Sequence, residues 1–188
     1  TVDSTTDGKG PVADKTLEEL KALDAGSWFA PRFKGAKIQT LTEVLSAAKG
    51  KVNLNLDCKN VDPGLLVREI RDAKMESQVV VFGKPELLSR VRKFAGDDVA
   101  TMAGYHPGTM DVETFLKGVT VSSVEIDARE ITAEICREFR RRGIKVEASV
   151  LGADVDRPEF WNKAIAAGVD WIQTDDPAGV RFHEVRAR

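Results

Sequence analysis

From Lys51 onward the chain alternates short strand-like segments with amphipathic helical ones, and a new strand begins about every 24 residues. This rhythm limits the fold more than any other feature. A strand, a helix and a further strand within so short a stretch make a right-handed parallel βαβ unit. The pattern predicts strands over Lys51–Lys59, Gln78–Phe82, Val99–Gly104, Ser122–Asp127, Lys145–Leu151 and Trp171–Thr174. Between them it predicts helices over Gly64–Met75, Pro85–Ala95, Val112–Lys117, Thr132–Arg142 and Pro158–Ala167. Pro85 stands at a helix start, and Gly96, Gly143 and Gly168 stand just past helix ends. Successive units share no sequence similarity, which disfavours a solenoid.

Six parallel strands fit either an open doubly wound sheet or a (β/α)8 barrel with two strands absent. Central strands of an open parallel sheet read as continuous apolar runs. Here Val52, Leu54, Leu56 and Cys58 alternate with Asn53, Asn55, Asp57 and Lys59. Ser123, Glu125 and Asp127 alternate with Val124 and Ile126, and Lys145, Glu147 and Ser149 with Val146, Ala148 and Val150. A barrel accounts for this, with the apolar phase against a helix ring and the polar phase pointing inward. Inward acids at strand ends then lie at the C-terminal mouth, where barrel enzymes carry their chemistry. No Gly-x-Gly-x-x-Gly follows a strand and no Walker-type loop is present, so a nucleotide site has no support.

Residues 1–50 are organised differently. Thr5–Pro11 has the composition of a surface loop, and two capping boxes follow. Thr16-Leu17-Glu18-Glu19 opens a short helix through Leu23, and Thr40-Leu41-Thr42-Glu43 opens one that Gly50 ends. The net charge of -2 gives no basic field for nucleic acid or anionic membranes. Cys58 and Cys136 form no Cys-x-x-Cys pair and read as buried free thiols. No apolar run is long enough to span a membrane, and no export signal opens the chain. The first residue is Thr1 rather than Met, so cleavage, truncation or an unrecorded N-terminus is expected. The compartment is left open between cytoplasmic and exported with the signal already absent.

Several segments, taken in order, resemble the glycerophosphodiester phosphodiesterase family. Val2-Asp3-Ser4-Thr5-Thr6-Asp7-Gly8-Lys9-Gly10 is similar to the loop after the family's second catalytic histidine. Thr16–Leu20 with Leu23–Phe29 resembles its "TLxEL…LDAGSWF" region, and Ile38–Leu45 its "IPTLxEVL" element. Leu56-Asp57-Cys58-Lys59 aligns with a Glu-x-Lys strand end, and Gly168–Pro177 resembles the last strand, "GVDGIxTDxP". The resemblance implies a single barrel domain over 1–188 that lacks its N-terminal part. A loop and helical insertion would occupy 1–50, β/α repeats 51–177 and a tail 178–188.

The resemblance also implies metal-dependent hydrolysis of glycerophosphodiesters to glycerol 3-phosphate and an alcohol. In the family two histidines act as acid and base, three carboxylates hold a divalent cation (Mg or Ca), and a lysine and an arginine contact phosphate. A hard cation and fixed positive side chains suit the charge that builds up on a diester. Only two roles carry over. Asp57 stands where a metal-binding glutamate is expected, and Lys59 matches the phosphate-contacting lysine. The opening His-Arg-Gly, the Glu-x-Asp strand end and the His-Asp pair would lie before Thr1. Ala148-Ser149-Val150-Leu151 stands where the family has its "WTVN" motif. A missing N-terminal segment or another chain is therefore expected to complete the barrel, and this chain alone is expected to be inactive. The alternative is a non-catalytic barrel that still binds phosphate or a head group; a barrel isomerase or lyase fits the matched motifs poorly.

Other residues carry a sharp reading and a bland one. Glu125, Asp127 and Glu147 point to the mouth, where they either bind metal or substrate or simply form a polar lining. His106, after a strand, is either a substitute acid or base or a plain loop residue, and His183 reads as inert. Trp28 and Phe29 either border the pocket or anchor their segment by burial. Asp175 either orients a neighbour or caps a turn. Arg140-Arg141-Arg142 reads as a solvated helix end favoured by the macrodipole.

Overall fold

A computed structural model describes residues 1–186, with side chains through Arg181. Two compact units divide the chain, Thr1–Ala48 and Lys49–Arg188. The first holds helices α1 (Leu17–Ala22) and α2 (Leu41–Ala48). Both capping boxes form: Thr16 and Glu19 bond reciprocally, as do Thr40 and Glu43. The loop between these helices is fastened at Asp24. Its carboxylate accepts from the amides of Gly26, Ser27 and Gly35 at 2.8, 2.9 and 2.9 Å.

The second unit contains six strands: β1 (Leu54–Asp57), β2 (Val79–Phe82), β3 (Ala100–Gly104), β4 (Ser123–Asp127), β5 (Lys145–Ser149) and β6 (Trp171–Gln173). Helices α3 (Pro63–Asp72), α4 (Pro85–Ala95), α5 (Val112–Gly118), α6 (Ala133–Arg141) and α7 (Pro158–Ala167) connect them in turn, and α8 (Pro177–Arg186) follows β6. The strands are shorter than their polar–apolar pattern, because pairing stops where the chain turns toward the next helix. The terminal segment, expected to be a tail, forms α8. Pro177 opens this helix and Asp176 Oδ1 accepts the Gly179 amide at 2.8 Å, a start that its weak periodicity conceals.

The strand order is β1-β2-β3-β4-β5-β6, with parallel pairing throughout. A doubly wound sheet must reverse its order at a switch point, and this one does not. Right-handed crossovers that always advance in one direction put every helix on the same side of the sheet. The sheet curls into a half-barrel with helices between its strands. The outer phase is apolar and packs under the helices: Val81, Val124, Ile126, Val146 and Ala148 are at most 1% exposed. Leu88 and Val91 of α4 and Cys136 and Phe139 of α6 are buried on the helix side. Cys58 is only half-buried, since it stands just past the end of β1 and outside that packed layer.

Ladder register carries the inner phase across the sheet: Phe82, Met102, Ser123 and Lys145 follow one another, as do Gly104, Glu125, Glu147 and Trp171. Among the described residues β1 and β6 each pair on one side only. A cavity of about 500 Å³ opens on the N-terminal half of this face, lined among others by Asn55, Val80, Ser123, Lys145, Glu147 and Trp171. Glu147 is 5% exposed. Its Oε2 accepts the Trp171 indole N–H, while Oε1 is buried without a partner. Burial pushes this carboxyl up to about 7, against the Trp171 hydrogen bond and with help from the charge of Glu125.

Folded Glu147 keeps a proton that the unfolded chain releases near its ordinary value of 4.5. The native state therefore binds more protons across this range, and stability falls as pH rises from about 4.5 to about 7. The loss is up to roughly 3 kcal/mol, complete above pH 7. Glu147→Gln should flatten this slope in urea unfolding between pH 5 and pH 8; an unchanged slope would refute the assignment. Lys74, just after α3, has φ +54°, a left-handed conformation that costs a non-glycine residue energy. Lys74→Gly should stabilise the chain by about 0.5–1 kcal/mol in the same assay.

Candidate active site

The C-terminal ends of the strands gather the charged groups of the inner face. β1 ends at Asp57, and Lys59 follows two residues later. Lys59 Nζ lies 2.6 Å from Asp57 Oδ1, and the side chains are 76% and 57% exposed. The ammonium also stands 5.7 Å from the centre of the Phe82 ring on the next strand. So exposed a pair adds little stability, and both groups are open to a ligand.

Glu125 stands half-buried in the middle of β4. Burial raises its carboxyl; the charges of Asp57 and Asp127 raise it further, while those of Lys59 and His106 oppose them. These five residues, on three different strands and their following loops, therefore share one electrostatic environment. His106 reaches it because Tyr105 anchors the loop after β3. Tyr105 is buried, packs edge-on against Phe115 and Phe139 with ring centres 5.1 and 5.0 Å away, and donates its hydroxyl to the Met110 carbonyl at 2.9 Å.

Asp127 is already engaged. It accepts from the Arg129 amide and guanidinium, both at 2.8 Å, and Arg129 reaches on to Asp154 at 2.8 Å. Glu147 is the ladder partner of Glu125, but it lines the cavity on the N-terminal half, where it accepts from the Trp171 indole. The side chain of His183 falls outside the described residues. Trp28 and Phe29 are 55% and 65% exposed, so burial does not anchor their segment; the Asp24 hydrogen bonds do. Arg140 is more than a solvated end: its guanidinium donates to the Gly168 carbonyl. Gly168 there closes α7 at φ +82°, a conformation that glycine adopts freely.

No group of three or more His, Cys, Asp or Glu side chains among the described residues is arranged to hold a metal ion. Asp57 offers a hard oxygen donor, but a magnesium or calcium ion needs about six or more oxygens, several from protein. The residues present fit one corner of a divalent-cation site and cannot hold the ion alone.

Sequence reasoning missed Asp156, which organises the mouth between β5 and α7. Its carboxylate accepts from Trp161 Nε1 at 2.7 Å, Thr174 Oγ1 at 2.7 Å and the Asp175 and Asp176 amides at 2.7 and 3.2 Å. Burial alone would raise its carboxyl; these bonds outweigh burial and hold it below the ordinary value. The turn-capping role considered for Asp175 belongs to Asp176, and the Asp175 amide is itself held by Asp156. Little local signal marks Asp156: Trp161 lies five residues on, but Thr174, Asp175 and Asp176 lie 18–20 residues away. Asp156→Ala should cost about 2–3 kcal/mol in urea unfolding, with Asp156→Asn recovering only part of it. A neutral Ala variant would show that the carboxylate does not hold this loop.

Comparisons with known proteins agree with this geometry. Residues 1–179 match the model of the glycerophosphoryl diester phosphodiesterase family. A glycerophosphodiester phosphodiesterase of Caldanaerobacter subterraneus is 32% identical over 94% of this chain and 74% of its own length. One from Bacillus subtilis is 35% identical over 98% of this chain and 69% of its own. The crystal structure of an Agrobacterium tumefaciens glycerophosphodiester phosphodiesterase superimposes with a TM-score of 0.78 at 25% identity, over 93% of this chain and 74% of the other. An Oleispira antarctica phosphodiesterase, solved with its product sn-glycerol 3-phosphate, shares the fold at a TM-score of 0.72 and 22% identity, over 97% and 76%. The barrel expected from the strand rhythm is the fold of these relatives, and the chain belongs to the glycerophosphoryl diester phosphodiesterase family, whose members are phosphoric diester hydrolases.

Proposed function

We propose that this chain supplies the greater part of a metal-dependent phosphodiesterase that splits glycerophosphodiesters into glycerol 3-phosphate and an alcohol. Asp57 provides one ligand to a divalent cation and Lys59 contacts the phosphate. The remaining carboxylates and the acid–base groups come from an additional segment or chain that pairs with the free edges of β1 and β6. Glu125 stands behind the pair as a substrate-facing group. The reading is carried by the pairing of an exposed carboxylate and ammonium 2.6 Å apart at the end of β1, in a chain whose sequence matches the family. A carboxylate and an ammonium side by side suit one metal-bound phosphate: the cation would satisfy the carboxylate, and the phosphate oxygens would accept from the ammonium.

The test is release of glycerol 3-phosphate from glycerophosphocholine, with and without a chelator. The chain alone should show no metal-dependent turnover. A fusion that places the N-terminal segment of the Caldanaerobacter relative before Thr1 should show it. In that fusion Lys59→Met should lower kcat/KM by roughly 10²-fold, a magnitude typical of a lost charge-stabilising group. Asp57→Ala should abolish the metal response, and Asp57→Glu should keep it. Robust turnover by the 188-residue chain alone would show that the catalytic groups are misplaced. A folded but inactive fusion that still binds glycerol 3-phosphate would favour a non-catalytic, head-group-binding barrel, for which the loss of the "WTVN" motif at Ser149 already speaks.

A further inference from the structure

We infer that the loop between α1 and α2 is a docking surface for anionic phospholipid bilayers. Trp28, Phe29 and Phe33 are 55%, 65% and 42% exposed and form one contiguous cluster. The Trp28–Phe29 and Phe29–Phe33 ring centres are both 5.7 Å apart, and the Arg32 guanidinium stands 4.7 Å from the centre of the Phe33 ring. Three adjacent exposed aromatic rings exceed the scattered apolar exposure that needs no explanation.

The exposure is not a consequence of a loose backbone. Asp24 binds three amides of the loop and the Ser27 hydroxyl, and the Ala25 amide donates to the Ala36 carbonyl at 2.8 Å. At Gly26 the chain packs so closely that a Cβ would meet the Phe33 carbonyl oxygen at 2.0 Å. The Trp28 indole N–H is satisfied within the loop, by the Ala25 carbonyl at 3.0 Å, leaving its ring free to enter an apolar phase. The rings are thus presented on a fixed platform, and little ordering entropy opposes docking.

Charge selects the occupant. Between Asp24 and Glu43 the chain carries Arg32, Lys34 and Lys37 and no carboxylate, although the whole chain has a net charge of -2. Aromatic rings flanked by cations suit the boundary between head groups and acyl chains of an anionic leaflet. A second copy of the same loop fits less well, because a two-fold contact would set Arg32 and Lys34 against themselves. The inference does not depend on the phosphodiesterase reading and concerns only this loop.

The experiment is co-sedimentation of the 188-residue chain with phosphatidylcholine vesicles, with and without phosphatidylglycerol. The chain should sediment with the phosphatidylglycerol vesicles. A combined Trp28→Ala, Phe29→Ala, Phe33→Ala variant should partition roughly tenfold or more weakly, given the apolar area removed. Arg32→Ala with Lys34→Ala should remove the preference for phosphatidylglycerol. Circular dichroism verifies that each variant is folded, and Phe29→Ser alone, at the most exposed ring, should give an intermediate loss if the triple variant is not. Failure of the parent chain to sediment, or equal sedimentation by the folded aromatic variants, would overturn the inference. So would a dimer in sedimentation velocity that the triple variant abolishes.

Discussion

The inner face of this protein depends on one constraint: six strands pair in parallel, in chain order, with their two-residue alternation in phase from β1 to β6. Advancing always in one direction places the helices on one side, so each strand can bury only one phase under them. A slip of one residue in any ladder would turn that strand's apolar phase away from the helices and its polar phase into them. Full burial of Val81, Val124, Ile126 and Ala148 makes such a slip costly, at roughly 1.5–3 kcal/mol for each large side chain exposed. Core packing on the outer face therefore fixes where Asp57, Glu125 and Glu147 stand on the inner one. The site is a by-product of the register, and the register is held by residues that take no part in it.

That dependence decides what could be read from the sequence. The alternation of Leu54 and Leu56 with Asn55 and Asp57, and of Val124 and Ile126 with Glu125 and Asp127, is a local property, and it carried over to the structure. So did the helix starts, since a capping box or Pro85 at a first turn needs no distant partner. Strand ends were overestimated because polar–apolar alternation continues past the last paired residue, as at Lys59. Helix α8 was missed because its apolar residues do not recur on one face. Asp156 was invisible for a different reason: its meaning lies in Thr174, Asp175 and Asp176, which only the parallel ladder between β5 and β6 brings within reach. Burial, one of the two readings open for Trp28 and Phe29, does not hold: both rings are exposed, and their loop is fastened by polar contacts to Asp24.

The site itself is asymmetric. One exposed carboxylate and one ammonium occupy the end of an edge strand, and a half-buried acid stands behind them. Such a set can contribute to the recognition of a metal-bound phosphate, but it cannot hold the metal alone. Glu147, on the interior strand β5, keeps a buried oxygen that no described group satisfies, in the cavity on the N-terminal half of the inner face. Among the described residues β1 and β6 each keep one unpaired edge, so the span between the first and last strands is open.

The openness of that span can be measured by residue-resolved amide hydrogen exchange on the 188-residue chain. In a parallel strand successive amides point to opposite sides. The Cys58 amide donates to Phe82 on β2 at 2.9 Å, so the Leu56 amide faces β2 as well and those of Asn55 and Asp57 face the free edge. The account predicts slow exchange at Leu56 and Cys58 and fast exchange at Asn55 and Asp57. Equal protection of all four would mean that the edge is already paired, by closure on β6 or by another copy, and would contradict an inner face open between β1 and β6.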